Sequence, residues 1–225
     1  MNILVVNPTS DMSLNDVIYK AADYAAKLSA RNSEDYTHVS VVALEKAPKR
    51  IVSALDIIEA SAALLEKIRS LKGIYDGFII AHHTELGVAA LSELTKKPVL
   101  SSGPAGVYPA PLYGKKIAVL GKTERDIEMQ KETLRHYGIL NDNMQFISTC
   151  TTGEASLDEM KKGIFVAAKK AKEEMNCEVI VLSDAGMSLC ADEVTKKFKL
   201  PVLEGVTSAV IRIEYMVYQM SAISE

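Results

Sequence analysis

Along the chain, short apolar runs alternate with longer stretches in which apolar positions recur at helical spacing. That alternation predicts a parallel sheet covered by helices on both faces, the α/β class. The runs that read as strands are NILVVN, HVSVVALE, GFIIAH, PVLS, KIAVLG, MQFIS, EVIVLS and PVLE. Between them, residues 13–30, 52–72, 86–95, 124–137, 155–174, 186–198 and 205–220 carry the helical period. Ser156 and Glu159 have the spacing of a capping box, in which each side chain satisfies a backbone amide of the other's turn. Gly73, Gly114 and Gly138 stand where helices or loops should end.

The pattern also repeats. NILVVNPTS aligns with KIAVLGKTE, so Asn7 corresponds to Gly121, Pro8 to Lys122 and Thr9 to Thr123. GFIIAHHTEL aligns with VIVLSDAGMS, which pairs His82 with Asp184, and PVLSSGPA aligns with PVLEGVTSA, which pairs Ser101 with Glu204. The repeat spans about 1–115 and 116–225, with the Gly-, Pro- and Ser-rich stretch SSGPAGVYPAPLYGKK as the boundary between halves. The predicted organisation is a first half formed by 1–100 with 208–225 and a second formed by 101–207. Each half reads as a flavodoxin-like parallel sheet, the two related by a pseudo-two-fold axis. Every paired position falls at the carboxyl end of a strand, where ligands of open α/β sheets bind. The repeat therefore predicts one cleft between the halves, with His82 on one wall and Asp184 on the other.

Composition narrows the function. The 225 residues are 48% hydrophobic and 24% charged, with a formal net charge of −3. There is no basic footprint for nucleic acid, and no apolar run is long enough for a membrane helix. The opening MNILVVNPTS lacks a basic segment before its apolar run and reads as a buried first strand, not a secretory signal. Cys150, Cys177 and Cys190 are odd in number and lack CxxC spacing, which argues for free thiols in a reducing cytoplasm.

The chain resembles the aspartate/glutamate/hydantoin racemase superfamily, and most closely its hydantoin and allantoin racemase branch. The resemblance runs nearly end to end and rests on ILVVNPTS, DGFIIA, PVL, IAVLGKTERDIEMQKETLRHYGI and EVIVLSDAGM…LPVLEGVTSAV. It implies cofactor-independent proton transfer at an acidic carbon, performed in the family by two cysteines at strand ends on opposite faces of the substrate. Here the first of those positions is His82 and the second is Asp184.

An imidazole and a carboxylate can still form an acid/base pair. The apolar surroundings of the cleft are expected to raise the carboxyl pKa toward that of histidine. Such an asymmetric pair suits one-directional chemistry, isomerase or lyase in type, next to a carbonyl of a small carboxylate or cyclic amide. Two alternatives stand beside it: a hydrolase or hydratase in which Asp184 hydrogen-bonds and orients His82 to activate water, and a non-catalytic small-molecule-binding protein. A histidine at a strand end also serves structure, and an aspartate before Ala-Gly also serves as a helix N-cap.

Further candidates for substrate contact surround this pair. His83 follows His82, and if the strand continues the two side chains diverge. Glu85 occupies a loop where the resemblance implies an acid that orients the first catalytic group. Asn7, Thr9 and Ser10 form the first strand-to-helix loop and can hold a carboxylate or imide oxygen, or cap the helix near Ser13. Lys122, where the resemblance implies threonine, would suit a more acidic substrate, with Thr123 beside it. Glu204, Gly205 and Thr207 precede and open the last helix. Adjacent histidines rarely face one ion, and no HxH, HExxH, GxGxxG or P-loop spacing is present, so neither metal nor organic cofactor is expected. The apolar segment VTSAVIRIEYMVYQM predicts a homo-oligomer.

Overall fold

The computed structural model describes residues 1–30, 36–71, 73–151 and 155–224. All eight predicted strands form: β1 (Asn2–Asn7), β2 (His38–Ala43), β3 (Gly77–Ile80), β4 (Val99–Ser101), β5 (Ile117–Gly121), β6 (Met144–Ser148), β7 (Val179–Leu182) and β8 (Val202–Glu204). They pair, all in parallel, as two four-stranded sheets of the same order, β2-β1-β3-β4 and β6-β5-β7-β8. The helices are α1 (Asn15–Ser29), α2 (Ala54–Arg69), α3 (Val88–Thr95), α4 (Ser102–Val107), α5 (Glu124–His136), α6 (Leu157–Glu173), α7 (Ala191–Phe198) and α8 (Gly205–Ser224). The last residue of the predicted 52–72 helix, Lys72, lies outside the described residues.

Because successive strand residues face opposite sides, each central strand divides its side chains between two cores. Ile3, Val5 and Ile79 pack with Ile18, Ala22 and Ala26 of α1 and with Val206, Val210 and Ile213 of α8. Leu4, Val6, Phe78 and Ile80 pack on the other face against Ala60, Leu64 and Ile68 of α2 and Leu91 of α3. The second sheet repeats the scheme, with Leu120 and Leu182 against Ile164 and Ala168 of α6, and Val119 and Val181 against Leu134 of α5. No helix among the described residues is long and apolar enough to cross a membrane.

Capping boxes start three helices: Ser53 with Asp56, Thr123 with Asp126, and Ser156 with Glu159. The last of these matches the sequence expectation. Three elements differ from it. The strand predicted to run through His82 stops at Ile80, because the His82 amide turns back to the Ile80 carbonyl at 2.8 Å. The predicted 186–198 helix opens as a 3₁₀ turn over Ala185–Cys190 before α7. Helix α4 arises inside the Gly-, Pro- and Ser-rich stretch, where no helix was predicted. Pro104 sits in its first turn, where a missing amide hydrogen breaks no helical bond. All six of its residues are buried, and it packs against α8.

The start of α4 is docked on the chain that follows β3. The Gly103 amide and the Ser101 and Ser102 hydroxyls all donate to the His82 carbonyl, at 2.9, 2.8 and 3.2 Å, and Ser101 also reaches the Thr84 carbonyl at 2.5 Å. A Cβ on Gly103 would lie 2.5 Å from the His83 Cα. Only glycine permits that approach without moving backbone. Gly103→Ala is therefore expected to lower stability by about 1–3 kcal/mol through overpacking. Urea unfolding checks this, and an unchanged midpoint would contradict the close packing of α4 on the 82–84 turn.

Candidate active site

The strand ends of the two sheets enclose a cleft of about 430 Å³. Asn7 and Thr9 from β1, and His82 and His83 after β3, line it from the first half. Lys122 and Thr123 after β5, and Asp184 after β7, line it from the second. Seven of the twelve residues singled out in the sequence thus meet in one cavity.

On the first wall the two histidine side chains do not diverge. With the strand ended at Ile80, strand alternation no longer applies, and the tight turn at residue 81 brings both rings to the same side. They stack with centroids 4.1 Å apart and planes 29° apart. His82 Nδ1 lies 2.8 Å from the Thr84 hydroxyl and accepts from the Thr84 amide at 3.2 Å. An amide donor makes that nitrogen an acceptor, so the proton of the neutral ring belongs on Nε2. Burial and the neighbouring His83 hold the His82 pKa well below 6.5, against the opposing pull of Asp184. Burial also lowers His83, although Asp126 and Asp184 oppose it.

On the second wall Lys122 Nζ and Asp184 Oδ1 form an ion pair at 2.8 Å. The same oxygen accepts from the Gly186 amide at 2.8 Å, capping the 3₁₀ turn, so Asp184 is an N-cap as well as a cleft residue. Burial pushes the Asp184 carboxyl up. The charge and hydrogen bond of Lys122, with His83 and the Gly186 amide, outweigh burial and leave its pKa below the usual 3.8. This overturns the expectation of a raised carboxyl, because the cation that decides the matter comes from another strand. Burial likewise lowers Lys122, and Asp184 more than reverses it. The lysine charge is thereby matched within the protein instead of being left for an acidic substrate.

His82 and Asp184 do not hydrogen-bond to each other, since His82 is held by Thr84 and Asp184 by Lys122 and Gly186. The dyad imagined for water activation is absent. Asn7 is wholly engaged in shaping its loop: its oxygen accepts from the Thr9 amide and hydroxyl, and its nitrogen donates to the Asp11 carbonyl and Asn15. Asp11, rather than Asn7, Thr9 or Ser10, caps the turn ahead of α1.

Five candidates lie elsewhere. Ser10 bonds through its amide to the Pro48 carbonyl and does not line the cleft. Glu85 turns away to accept a hydrogen bond from the Tyr137 hydroxyl at the end of α5, so it does not orient His82. Burial raises the Glu85 pKa despite nearby His136. Glu204 caps α8, accepting the Val206 and Thr207 amides at 2.9 and 2.7 Å, and burial raises its pKa against those bonds. Gly205 packs its backbone on Ser102. Glu204 and Thr207 open on a separate, larger groove of about 930 Å³ between α1 and α8, which contains neither His82 nor Asp184.

Sequence reasoning passed over Lys49, Arg50, Arg125 and Asp126, which also line the cleft. The run PKR just beyond β2 was the available signal, since that loop too leaves a strand at its carboxyl end. Among the described residues, no group of three or more His, Cys, Asp or Glu is arranged to hold a metal ion.

A family model described as Asp/Glu/Hydantoin racemase matches residues 3–213. A hydantoin racemase from Pseudomonas sp. (strain NS671) is 29% identical over 218 residues, covering 93% of this chain and 83% of that protein. Among solved structures, the allantoin racemase from Klebsiella pneumoniae superposes with a TM-score of 0.87 at 24% identity, covering 97% of this chain and 88% of that one. The allantoin racemase from Pseudomonas fluorescens gives 0.85 at 22% identity, covering 97% and 92%.

The histidine pair makes stability depend on pH. Both rings bind a proton less readily folded than unfolded, so stability is complete above about pH 6.5 and falls as pH drops below it toward the folded-state pKa. The slope reaches about 1.4 kcal/mol per pH unit for each histidine. Asp184 acts in a lower window, losing its contribution only as pH falls through about 3.9 toward its depressed folded value. Urea unfolding of wild type and the His82→Gln/His83→Gln variant between about pH 7.5 and about pH 5.5 measures the first effect. The variant should flatten the slope, and equal slopes would refute the assignment.

Proposed function

The chain belongs to the Asp/Glu/hydantoin racemase family, on its hydantoin and allantoin racemase side, and from that membership we propose that it is a cofactor-independent proton-transfer enzyme of isomerase or lyase type. Its substrate is a small carboxylate or cyclic amide with an acidic C–H next to a carbonyl, and it works in the cytoplasm. The observation that carries this reading is geometric: one cleft is lined on one wall by Asp184, paired with Lys122 at 2.8 Å, and on the other by His82, whose Nδ1 is held by Thr84.

A carboxylate held ionised is ready to take a proton and poorly suited to give one. Asp184 is accordingly the base that removes the hydrogen beside the carbonyl. As that bond breaks, negative charge develops on the carbonyl oxygen. The His82 Nε2–H, fixed in direction by Thr84, is the donor that meets it, and the Lys122 ammonium adds electrostatic support. A neutral imidazole serves well here, because it donates without adding charge to a buried site. The arrangement favours proton exchange, isomerisation or elimination over symmetric racemisation, since the two walls differ in charge. A hydrolase reading lacks its His82–Asp184 hydrogen bond. Exposed Tyr215, Tyr218 and Ile223 on α8 support assembly into a homo-oligomer.

Proton NMR in D₂O with hydantoins, allantoin, amino acids and substituted malonates tests the reading. Deuterium should enter next to a carbonyl, and His82→Asn or Asp184→Asn should each slow its entry by about 10²–10⁴-fold with ligand affinity largely kept. Exchange that survives both substitutions would refute the roles. Ligand contacts without exchange would identify a binding protein instead.

A further inference from the structure

That reading employs one imidazole of the stacked pair and leaves the other unexplained. His83 is only 3% exposed, and its Nε2 is buried without a hydrogen-bond partner. Buried polar atoms are nearly always paired, so this one needs an account. It points across the divide between the halves at Asp126 Oδ1, 3.8 Å away. The other oxygen of Asp126 is held by the Thr123 amide and hydroxyl at 3.0 and 2.8 Å, so the capping box of α5 fixes which oxygen faces the ring.

The two rings therefore carry their protons under different constraints. Thr84 takes His82 Nδ1 as its acceptor and leaves an N–H on Nε2. A carboxylate facing His83 Nε2 draws the proton to that nitrogen and leaves a lone pair on Nδ1. Of the four ring nitrogens, one is bonded to Thr84 and one is buried; the remaining two, His82 Nε2 and His83 Nδ1, are those left to the cleft that both residues line. The cleft thus receives a hydrogen from one ring and a lone pair from the next.

We propose that His83, not His82, is the proton-accepting group of the first wall, with Asp126 as its positioning residue. This rests on the proton-transfer reading and adds a base facing Asp184 across the substrate. In the step, the C–H bond breaks and the proton passes to His83 Nδ1. The bond's electron pair moves into the carbonyl, and the resulting enolate oxygen accepts from the His82 Nε2–H. The imidazolium keeps its Nε2–H on Asp126, and return of the proton to carbon restores every group. The charged or titratable groups around the ring are His82, Asp126, Asp184 and Lys122. Lys122 and Asp184 offset each other, which leaves Asp126 to supply the bias.

Long-range ¹H–¹⁵N spectra of the ligand-free protein read the tautomers directly, with His83→Gln assigning the signals. His83 should carry its proton on Nε2 in the wild type. In Asp126→Asn, Thr123 must still donate to the carboxamide oxygen, so the amide NH₂ turns to His83 and should move the ring proton to Nδ1. The same variant should slow deuterium entry into the enantiomer whose C–H faces the first wall by at least about 10²-fold, with KM changed less than about twofold. A wild-type proton on Nδ1, or an Asp126→Asn variant with unchanged tautomer and rate, overturns the proposal. Exchange of that enantiomer that is intact in His83→Gln overturns it while sparing the wider reading, whereas a wild type that exchanges neither enantiomer overturns both.

Discussion

The ion pair between Lys122 and Asp184 constrains everything the cleft can do. An unpaired carboxylate in so enclosed a position would rise toward neutrality and become a proton donor. With Lys122 at 2.8 Å it stays charged, and the pair is nearly neutral as a unit. The two imidazoles opposite meet no net attraction strong enough to offset their burial, and His83 further disfavours a charge on His82. Lys122 thus holds the Asp184 carboxyl below the usual carboxylate range, while burial, chiefly, holds both imidazoles below the usual histidine range. Acid/base chemistry at neutral pH must start from that distribution.

The fold makes this distribution precise by placing each participant on a short, bonded connection at the end of a buried strand. His82 is gripped at its carbonyl by α4 and at its ring by Thr84. The Lys122 carbonyl receives the Thr151 amide and the Ser148 hydroxyl, each at 3.1 Å, and Asp184 is tied to its own turn. Such bonds fix the directions of the polar groups, as the proposed chemistry requires, since preorganised polar sites lower barriers by avoiding reorganisation. Asp126 shows the same economy, since one oxygen starts a helix and the other faces a ring from the opposite half.

Much of the architecture was legible because strand and helix periods differ and because the sequence repeats. The eight apolar runs became strands, and the repeat brought His82 and Asp184 to the carboxyl ends of β3 and β7. What the sequence could not reveal was set by contacts between distant elements. The direction of His83 depended on a backbone turn at residue 81, and the charge of Asp184 depended on a lysine two strands away in order. Helix α4 was hidden by composition, because its stability comes from burial against α8 instead of from helix-forming residues. Glu85 and Glu204 read as chemistry on residue type alone, whereas Tyr137 and the amide hydrogens of α8 already occupy them.

Neutron diffraction from a perdeuterated crystal at about pH 7.5 would test the protonation pattern most directly. The account predicts no deuterium on either oxygen of Asp184, three on Lys122 Nζ, and one on His82, at Nε2. Deuterium on the Asp184 carboxyl, or on both nitrogens of His82, would contradict it and reverse the proposed direction of proton transfer.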